Sequence, residues 1–99
     1  MARVCFIGDE ATAAGYRLAG VATRVPAAGE AAEVFRRASA DGAELVLLAA
    51  GSAREIDAAE LADAIVAERP LVAIVPDAYA RNAPPDVDRE VRLALGIGS

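Results

Sequence analysis

The chain has 99 residues, a mass of 10.1 kDa and a formal net charge of -5, so its size suits a single hydrophobic core. It contains no His and no Lys, which excludes imidazole metal sites, histidine-dependent nucleophiles, Walker lysines and receiver-type lysines. The acidic balance argues against binding to nucleic acid or to an anionic membrane surface, because both require clustered cations.

A buried strand followed by a helix is predicted at the start of the chain. Arg3–Ile7 is a β-branched and aromatic run that ends at Gly8. Asp9 is a suitable N-cap for a helix that runs to about Leu18, and Gly20 suits the left-handed position after the helix. Three small residues are expected to let this helix approach the sheet closely: Ala11, Gly15 and Ala19.

An edge strand and a second helix are predicted next. Val21–Val25 mixes apolar and polar residues, which indicates a strand with one face in water, and Pro26 ends it. A helix over residues 28–40 follows and is closed by Gly42. Its buried stripe is expected to consist of Ala31, Val34, Phe35 and Ala38.

The third predicted helix has two possible starts. Ser52 with Glu55 fits a capping box, and Asp57 with Glu60 fits one almost as well. The two alternatives differ by five residues, and the apolar pattern of the helix is the same for both. Its buried stripe is expected to consist of Leu61, Ala62, Ile65 and Val66.

Two further apolar runs, Leu45–Ala50 and Leu71–Val75, complete the strands. Uninterrupted apolar runs of this length are typical of parallel strands that are covered on both faces. With every crossover long enough for a helix, the order βαβαβαβ predicts a four-stranded parallel sheet flanked by helices. We expect the flavodoxin-like or receiver-like strand order 2-1-3-4, in a domain that spans residues 1–76.

A short helix is predicted at the end of the chain. Residues 77–85 are expected to form a proline-containing connector, and residues 86–99 a helix and tail. A helix of about ten residues is marginal in isolation and must dock on something. The pattern alone leaves open whether it is a fourth crossover helix on its own sheet or binds elsewhere. Its narrow apolar stripe is Val87, Val91, Ala94 and Leu95.

The turn after the first strand lacks the groups that nucleotide or phosphoryl chemistry requires. A dinucleotide fingerprint starting at Gly8 would need glycines where Glu10 and Ala13 stand. Two carboxylates, those of Asp9 and Glu10, would repel a phosphate at this helix start. A receiver domain would carry an acceptor carboxylate after the third strand, where the chain has only small and aliphatic residues. We therefore expect no catalytic and no cofactor-binding residues.

The remaining acidic and sulfur-containing residues are also expected to be structural. Asp57, Glu60 and Asp63 are close enough along one helix to suggest a cation site, but a solvated helix face is the simpler interpretation, and no metal is expected. Cys5 lies in an apolar run that predicts a buried, inert thiol. Asp77 follows the fourth strand without a second polar cluster to complete a site.

The chain shows no sequence signal for insertion into a membrane or for secretion. The apolar run near Met1 covers four residues, too few for the core of a signal peptide. No run approaches the roughly 20 apolar residues of a membrane span. The protein is expected to be cytoplasmic, or attached to a membrane only through partners.

The segment Ile7–Val21 resembles the N-terminus of the F subunit of V-type and A-type rotary ATPases. That family opens with a strand, Gly-Asp, a Thr and a Gly-aromatic-Arg-Leu-Ala-Gly segment. The segment Val87–Ile97 is similar to the terminal helix of the same family. The residues that carry the first motif here are Gly8, Asp9, Thr12, Gly15, Tyr16, Arg17, Leu18, Ala19 and Gly20.

The resemblance implies a non-catalytic rotor subunit of the central stalk, which couples ATP synthesis or hydrolysis to ion transport. It implies three partners: the D subunit (the coiled-coil subunit of the stalk), the catalytic A–B hexamer, and the subunit that joins the stalk to the membrane ring. The protein would then be cytoplasmic and peripheral to the membrane. The alternative is a degenerate receiver-like or flavodoxin-like signalling or protein-binding module. The residues expected to contact the coiled-coil subunit are Val87, Arg89, Val91, Arg92 and Leu95.

Overall fold

Four parallel strands form the centre of the molecule, in the order β2-β1-β3-β4. The structure is a computed structural model that describes residues 3–77. This architecture confirms the predicted α/β fold and its strand order. The elements are β1 (Val4–Ile7), α1 (Glu10–Leu18), β2 (Ala22–Arg24), α2 (Ala31–Ala40), β3 (Leu45–Ala49), α3 (Ala50–Ala53), α4 (Ala58–Ala67) and β4 (Leu71–Val75).

The two central strands supply the deepest part of the core. β1 pairs with β2 on one side and with β3 on the other, so that Cys5 lies opposite both Ala22 and Val46. Among the described residues, the largest side chains with no exposed surface are Phe6 and Ile7 of β1 and Val46 and Leu48 of β3. These strands are apolar throughout because both of their faces are covered.

The helices are divided unequally between the two faces of the sheet. On one face, Cys5, Ile7, Val46 and Leu48 pack with Phe35 of α2 and with residues of α3 and α4. On the other face, α1 packs over Phe6 and Ala49. Because a helix is about 10 Å wide and strands lie about 4.8 Å apart, α1 covers about two strands.

On the face of the sheet that α1 covers, the part formed by β3 and β4 is therefore less well covered by the described helices. Leu47 and Ala73 are half-buried there, and Leu71 is 54% exposed. These three residues alternate along their strands with residues that point to the opposite face. This part of the sheet surface is therefore available to a further apolar element.

The helix ends mostly follow the predicted signals. The side chain of Asp9 accepts a hydrogen bond from the backbone N–H of Thr12 and so caps α1. Gly20 and Gly42 have φ values of 87° and 93°, the left-handed conformation expected after α1 and α2. α2 begins at Ala31, three residues later than predicted.

The expected close approach of Gly15 to the sheet is wrong. Space is open within 4 Å of the position where a Cβ on Gly15 would lie, and Ala11 and Ala19 are also exposed. α1 instead turns Thr12 and Ala13 toward the sheet, and both are buried. Residues 11, 15 and 19 share one helix face at a spacing of four, and that face is the solvent side.

The third predicted helix is two helices, and its later start is the correct one. Ser52 lies inside the short helix α3 and caps nothing, so the capping box of Ser52 with Glu55 does not form. Asp57 caps α4, because its carboxylate accepts a hydrogen bond of 3.3 Å from the N–H of Glu60. The alternative start at Asp57 is thereby confirmed.

The buried stripe predicted for α4 is confirmed at Leu61 and wrong at its other three residues. Leu61 is half-buried and packs against the core together with Ala64. Ala62 is exposed, Ile65 is 44% exposed and Val66 is 80% exposed. α4 lies over the edge strand β4 and makes a shallow contact, which leaves an apolar flank in solvent.

The predicted terminal helix and the connector beyond residue 77 lie outside the described residues. The boundary at residue 76 and the five residues expected to contact the coiled-coil subunit therefore remain predictions. Within residues 3–77, no helix is long and apolar enough to cross a membrane.

Candidate functional site

A crevice opens at the carboxyl ends of the strands, where α/β sheets commonly bind their ligands. Its volume is about 360 Å³. It lies where the chain leaves the four described strands, so the sheet topology brings together residues far apart in sequence. Its lining consists of Gly8, Asp9, Pro26, Gly51, Ser52, Glu55 and Asp77.

Each of the three carboxylates in this lining already binds a backbone N–H group. Asp9 accepts from Thr12 at 3.1 Å. Glu55 accepts from the N–H of Gly29 at 2.9 Å and so ties the loop before α2 to the loop after α3. Asp77 accepts from the N–H of Gly51 at 3.2 Å, within α3. The acidic side chains therefore hold loops in place.

Asp9 is held in its ionised form by its capping role. Partial desolvation acts to raise the pKa of this carboxyl, but hydrogen bonds from the side chain and backbone of Thr12 outweigh it, and the pKa is lowered. The hydroxyl of Thr12 donates to Asp9 at 2.7 Å. A fixed carboxylate at the N-terminus of α1 occupies the position at which a phosphate group would bind.

Gly8 is required by packing. A Cβ on Gly8 would lie 2.5 Å from the Cβ of Ala49 and 2.6 Å from the Cζ of Phe6. Its N–H donates to the carbonyl of Arg24 at 3.1 Å, which continues the pairing of β1 with β2. The glycine allows the start of α1 to fit against β3.

Tyr16 and Arg17 connect α1 to the sheet, and Arg17 also pairs with another residue of α1. The ring of Tyr16 stacks on that of Phe6, with centroids 4.6 Å apart and planes 17° from parallel. Arg17 pairs with Glu10 at 2.8 Å and donates to the hydroxyl of Thr23 at 3.3 Å. The hydrogen bond from Arg17 lowers the pKa of Glu10. Tyr16 and Arg17, two residues of the family motif, thus make contacts that stabilise the fold.

The rest of that motif forms the C-terminal turn of α1. Ala19 follows the helix, and the N–H of Gly20 donates to the carbonyl of Arg17 at 3.0 Å. The side chain of Leu18 is 91% exposed. This turn directs the chain into β2, and its leucine contributes nothing to the core.

Two of the three acidic residues of α4 and its N-cap, Asp57 and Glu60, are engaged with other groups of the protein. The carboxylate of Asp57 caps the helix, and Glu60 accepts two hydrogen bonds of 2.8 Å from Arg36 of α2. No group of three or more His, Cys, Asp or Glu side chains in the described part of the chain is arranged to hold a metal ion.

The single cysteine is enclosed by the core. Cys5 is 6% exposed, and burial raises the pKa of its thiol, although Arg24 nearby acts in the opposite direction. The expected burial of the thiol is confirmed, and low exposure together with a raised pKa disfavours the reactive thiolate form.

Receiver chemistry has no structural counterpart at the end of the third strand. β3 ends at Ala49, and α3 begins at the next residue, Ala50, where a receiver would present its acceptor carboxylate. At the end of β3 the chain therefore has no residue that could accept a phosphoryl group as a receiver does.

Comparison with known proteins gives one informative result. The family model described as "ATP synthase (F/14-kDa) subunit" matches residues 4–91. A comparison with curated proteins gives no match. The matched range includes all four strands and the start of the predicted terminal helix.

Proposed function

The chain belongs to the ATP synthase (F/14-kDa) subunit family, and from this premise we propose that it is a non-catalytic subunit of the central stalk. Membership makes it an accessory subunit of a rotary ATPase and agrees with the resemblance found in Ile7–Val21. The family match over residues 4–91 is the observation that carries the proposal.

The charge of the crevice at the carboxyl edge supports the proposal that this subunit is non-catalytic. Its carboxylates each hold a backbone group, and its lining within residues 3–77 includes no Arg. A nucleotide placed there would bring its phosphates against three negative charges without a compensating cation from this lining. ATP chemistry then belongs to the catalytic A–B hexamer, and this subunit acts through contacts.

The contact with the coiled-coil subunit is assigned to the predicted terminal helix. Val87, Val91 and Leu95 recur at a spacing of four, which places them on one face of a helix. Such a face buries apolar area against the coiled coil, and Arg92 borders it. Arg89, two residues after Val87, lies on the opposite side of such a helix, next to Leu93. A helix of this length gains its stability from that docking.

The α/β domain serves as the rigid body attached to this helix. Its core includes four large side chains with no exposed surface, and packed interiors of this kind transmit force because they deform little. Rotation of the coiled coil would carry the domain past the A–B hexamer and against the subunit that joins the stalk to the membrane ring. In this way the protein couples ATP synthesis or hydrolysis to ion transport.

Substitution of Val91 tests the assignment. Val91→Asp places a charge in the apolar contact with the coiled coil, and an unpaired charge is expensive to desolvate. We expect co-purification with the coiled-coil subunit to be lost, with an affinity at least about 100-fold lower, or roughly 3 kcal/mol. Titration with the fluorescently labelled coiled-coil subunit measures the loss.

Leu93→Asp is the matched control, because it adds the same charge two positions away and outside the stripe. It is expected to retain binding to the coiled-coil subunit. If Val91→Asp binds as the wild type does, the helix is not the contact. If the wild-type chain itself forms no complex with the coiled-coil subunit, the central-stalk assignment is wrong.

A further inference from the structure

One flank of α4 is apolar although it faces solvent. Ala58 and Ala62 are exposed, Ile65 is 44% exposed and Val66 is 80% exposed. Leu61 and Ala64, on another side of the same helix, pack against the core. We call Ala58, Ala62, Ile65 and Val66 the α4 flank. These side chains do not attach α4 to the core, because Leu61 and Ala64 make that contact.

The direction of this flank follows from the helix geometry. Each residue turns the helix by about 100°, so Ala62 and Val66 point away from the side that carries Leu61 and Ala64. Glu60 lies on a third side and pairs with Arg36 of α2. The α4 flank thus faces away from α2, toward the outer side of the edge strand β4.

The spacing along the flank is that of a helix–helix contact. Positions 58, 62 and 65–66 are separated by four and by three to four residues, and such rows form one ridge on a helix surface. The small side chains of Ala58 and Ala62 would allow another helix to approach closely, while Ile65 and Val66 supply area. Ile74 of β4, 44% exposed on the same face of the sheet, adds to the apolar surface.

The charges near the flank identify the kind of partner. Asp63 is exposed and borders the flank, because it lies about 60° around the helix from Val66. The one basic residue between positions 57 and 69 is Arg69, just after the end of α4. In a two-fold pair of antiparallel α4 helices, Asp63 lies near the middle and would meet its own copy. This repulsion disfavours a second copy as the occupant and favours a helix with basic residues beside its apolar stripe.

We propose that the α4 flank is a docking surface for an α-helix of another polypeptide, one whose apolar stripe is bordered by basic side chains. The choice of the coiled-coil subunit as that polypeptide rests on the proposed function. The terminal helix and the α4 flank then contact the coiled coil at two separate places, and the second contact fixes the orientation of the domain around the stalk.

Thiol labelling tests this surface in the full chain. Val66→Cys places a thiol on the flank, and Cys5 is silent because it is buried. We expect fast labelling of the free variant and labelling at least about tenfold slower after saturation with the purified coiled-coil subunit. Ala67→Cys is the matched control, one residue later and turned away from the flank, and its rate should not change.

Each outcome of the labelling decides the matter. A complex that forms with the coiled-coil subunit while Val66→Cys labels at the free rate overturns the flank proposal and leaves the central-stalk assignment standing. Slow labelling of Val66→Cys in the free chain also overturns the flank proposal. If labelling slows further as the protein concentration rises, a second copy covers the flank. If it does not depend on concentration, the chain's own terminal segment covers it. Absence of any such complex overturns both proposals.

A charge substitution tests the chemistry of the partner separately. Asp63→Lys leaves the α4 flank intact and reverses one of its bordering charges. We expect about tenfold weaker binding to the coiled-coil subunit, together with a smaller loss of affinity when salt is raised from about 50 to about 200 mM. An unchanged salt dependence would contradict the basic border that we assign to the partner helix.

Discussion

Gly8 and Gly15 are seven residues apart, and opposite physical constraints act on them. A side chain on Gly8 would collide with Ala49 and Phe6, whereas space is open around Gly15. Gly15 lies inside α1, where glycine is a poor helix former. The first glycine is thus explained by packing, and nothing in the described contacts explains the second.

Alanine at the two positions is predicted to have opposite effects on the free energy of unfolding. Gly8→Ala should destabilise by about 1–3 kcal/mol, because Ala49 and Phe6 must shift. Gly15→Ala should stabilise by about 1 kcal/mol through helix propensity. Urea unfolding of both variants measures the difference. A loss of stability in Gly15→Ala would mean that this glycine has a packing role after all.

The sequence predicts the role of a residue well when that role depends only on its neighbours in the chain. The cap at Asp9 and the left-handed Gly20 follow from short-range hydrogen bonding and backbone conformation, and both are confirmed. Small residues at a spacing of four often mark a close contact, and this pattern points Gly15 toward the sheet. The burial of Thr12 and Ala13 shows that the pattern gives the wrong phase for this helix.

Among the elements, α4 departs most from its sequence interpretation. It carries apolar residues on two sides, so periodicity alone cannot distinguish the side that meets the sheet. The structure places Leu61 and Ala64 against the core and leaves Val66 in solvent. The four-residue helix α3, of sequence Ala-Gly-Ser-Ala, has no apolar stripe and could not have been predicted in this way.

α4 is predicted to open more readily than α2 in the free protein. It contains no fully buried residue, whereas α2 buries Ala31, Phe35 and Ala38. Local opening depends on the buried contacts that must be broken, so amide protons of α4 should exchange faster than those of α2. Hydrogen exchange followed by mass spectrometry or NMR measures both helices in one sample. Equal protection would show that α4 is held more firmly than its burial indicates.

At the scale of the whole molecule, the crevice at the carboxyl edge has the position of a ligand site, but its charge is unsuitable for phosphate. Asp9, Glu55 and Asp77 come from three different loops and are all engaged with backbone N–H groups. These three residues come together only because of the sheet topology. The capping role of Asp9 depends on residues nearby in sequence and could be predicted, whereas the hydrogen bond of Glu55 to Gly29 could not. The residues expected at the interface with the coiled coil lie beyond the described range and stay predictions.

Mg-ATP is predicted to leave the thermal stability of the protein unchanged. A ligand that binds the native state raises Tm, and about 1 mM of a ligand with a Kd of about 10 μM would stabilise by about 2.7 kcal/mol. Because the described lining of the crevice offers three carboxylates and no cation, we expect a shift within about 1 °C of a control matched for ionic strength. A rise of several degrees would restore the nucleotide hypothesis.

The position of β4 has a further consequence for the life of the protein in the cell. β4 is the outer strand of the described sheet, and its five residues, Leu71–Val75, include no charge and no proline. Strands of this composition tend to recruit further strands into aggregates when their edge is open. An open edge at β4 would make a surplus of the protein over its assembly partners a hazard, and synthesis in matched amounts would avoid it.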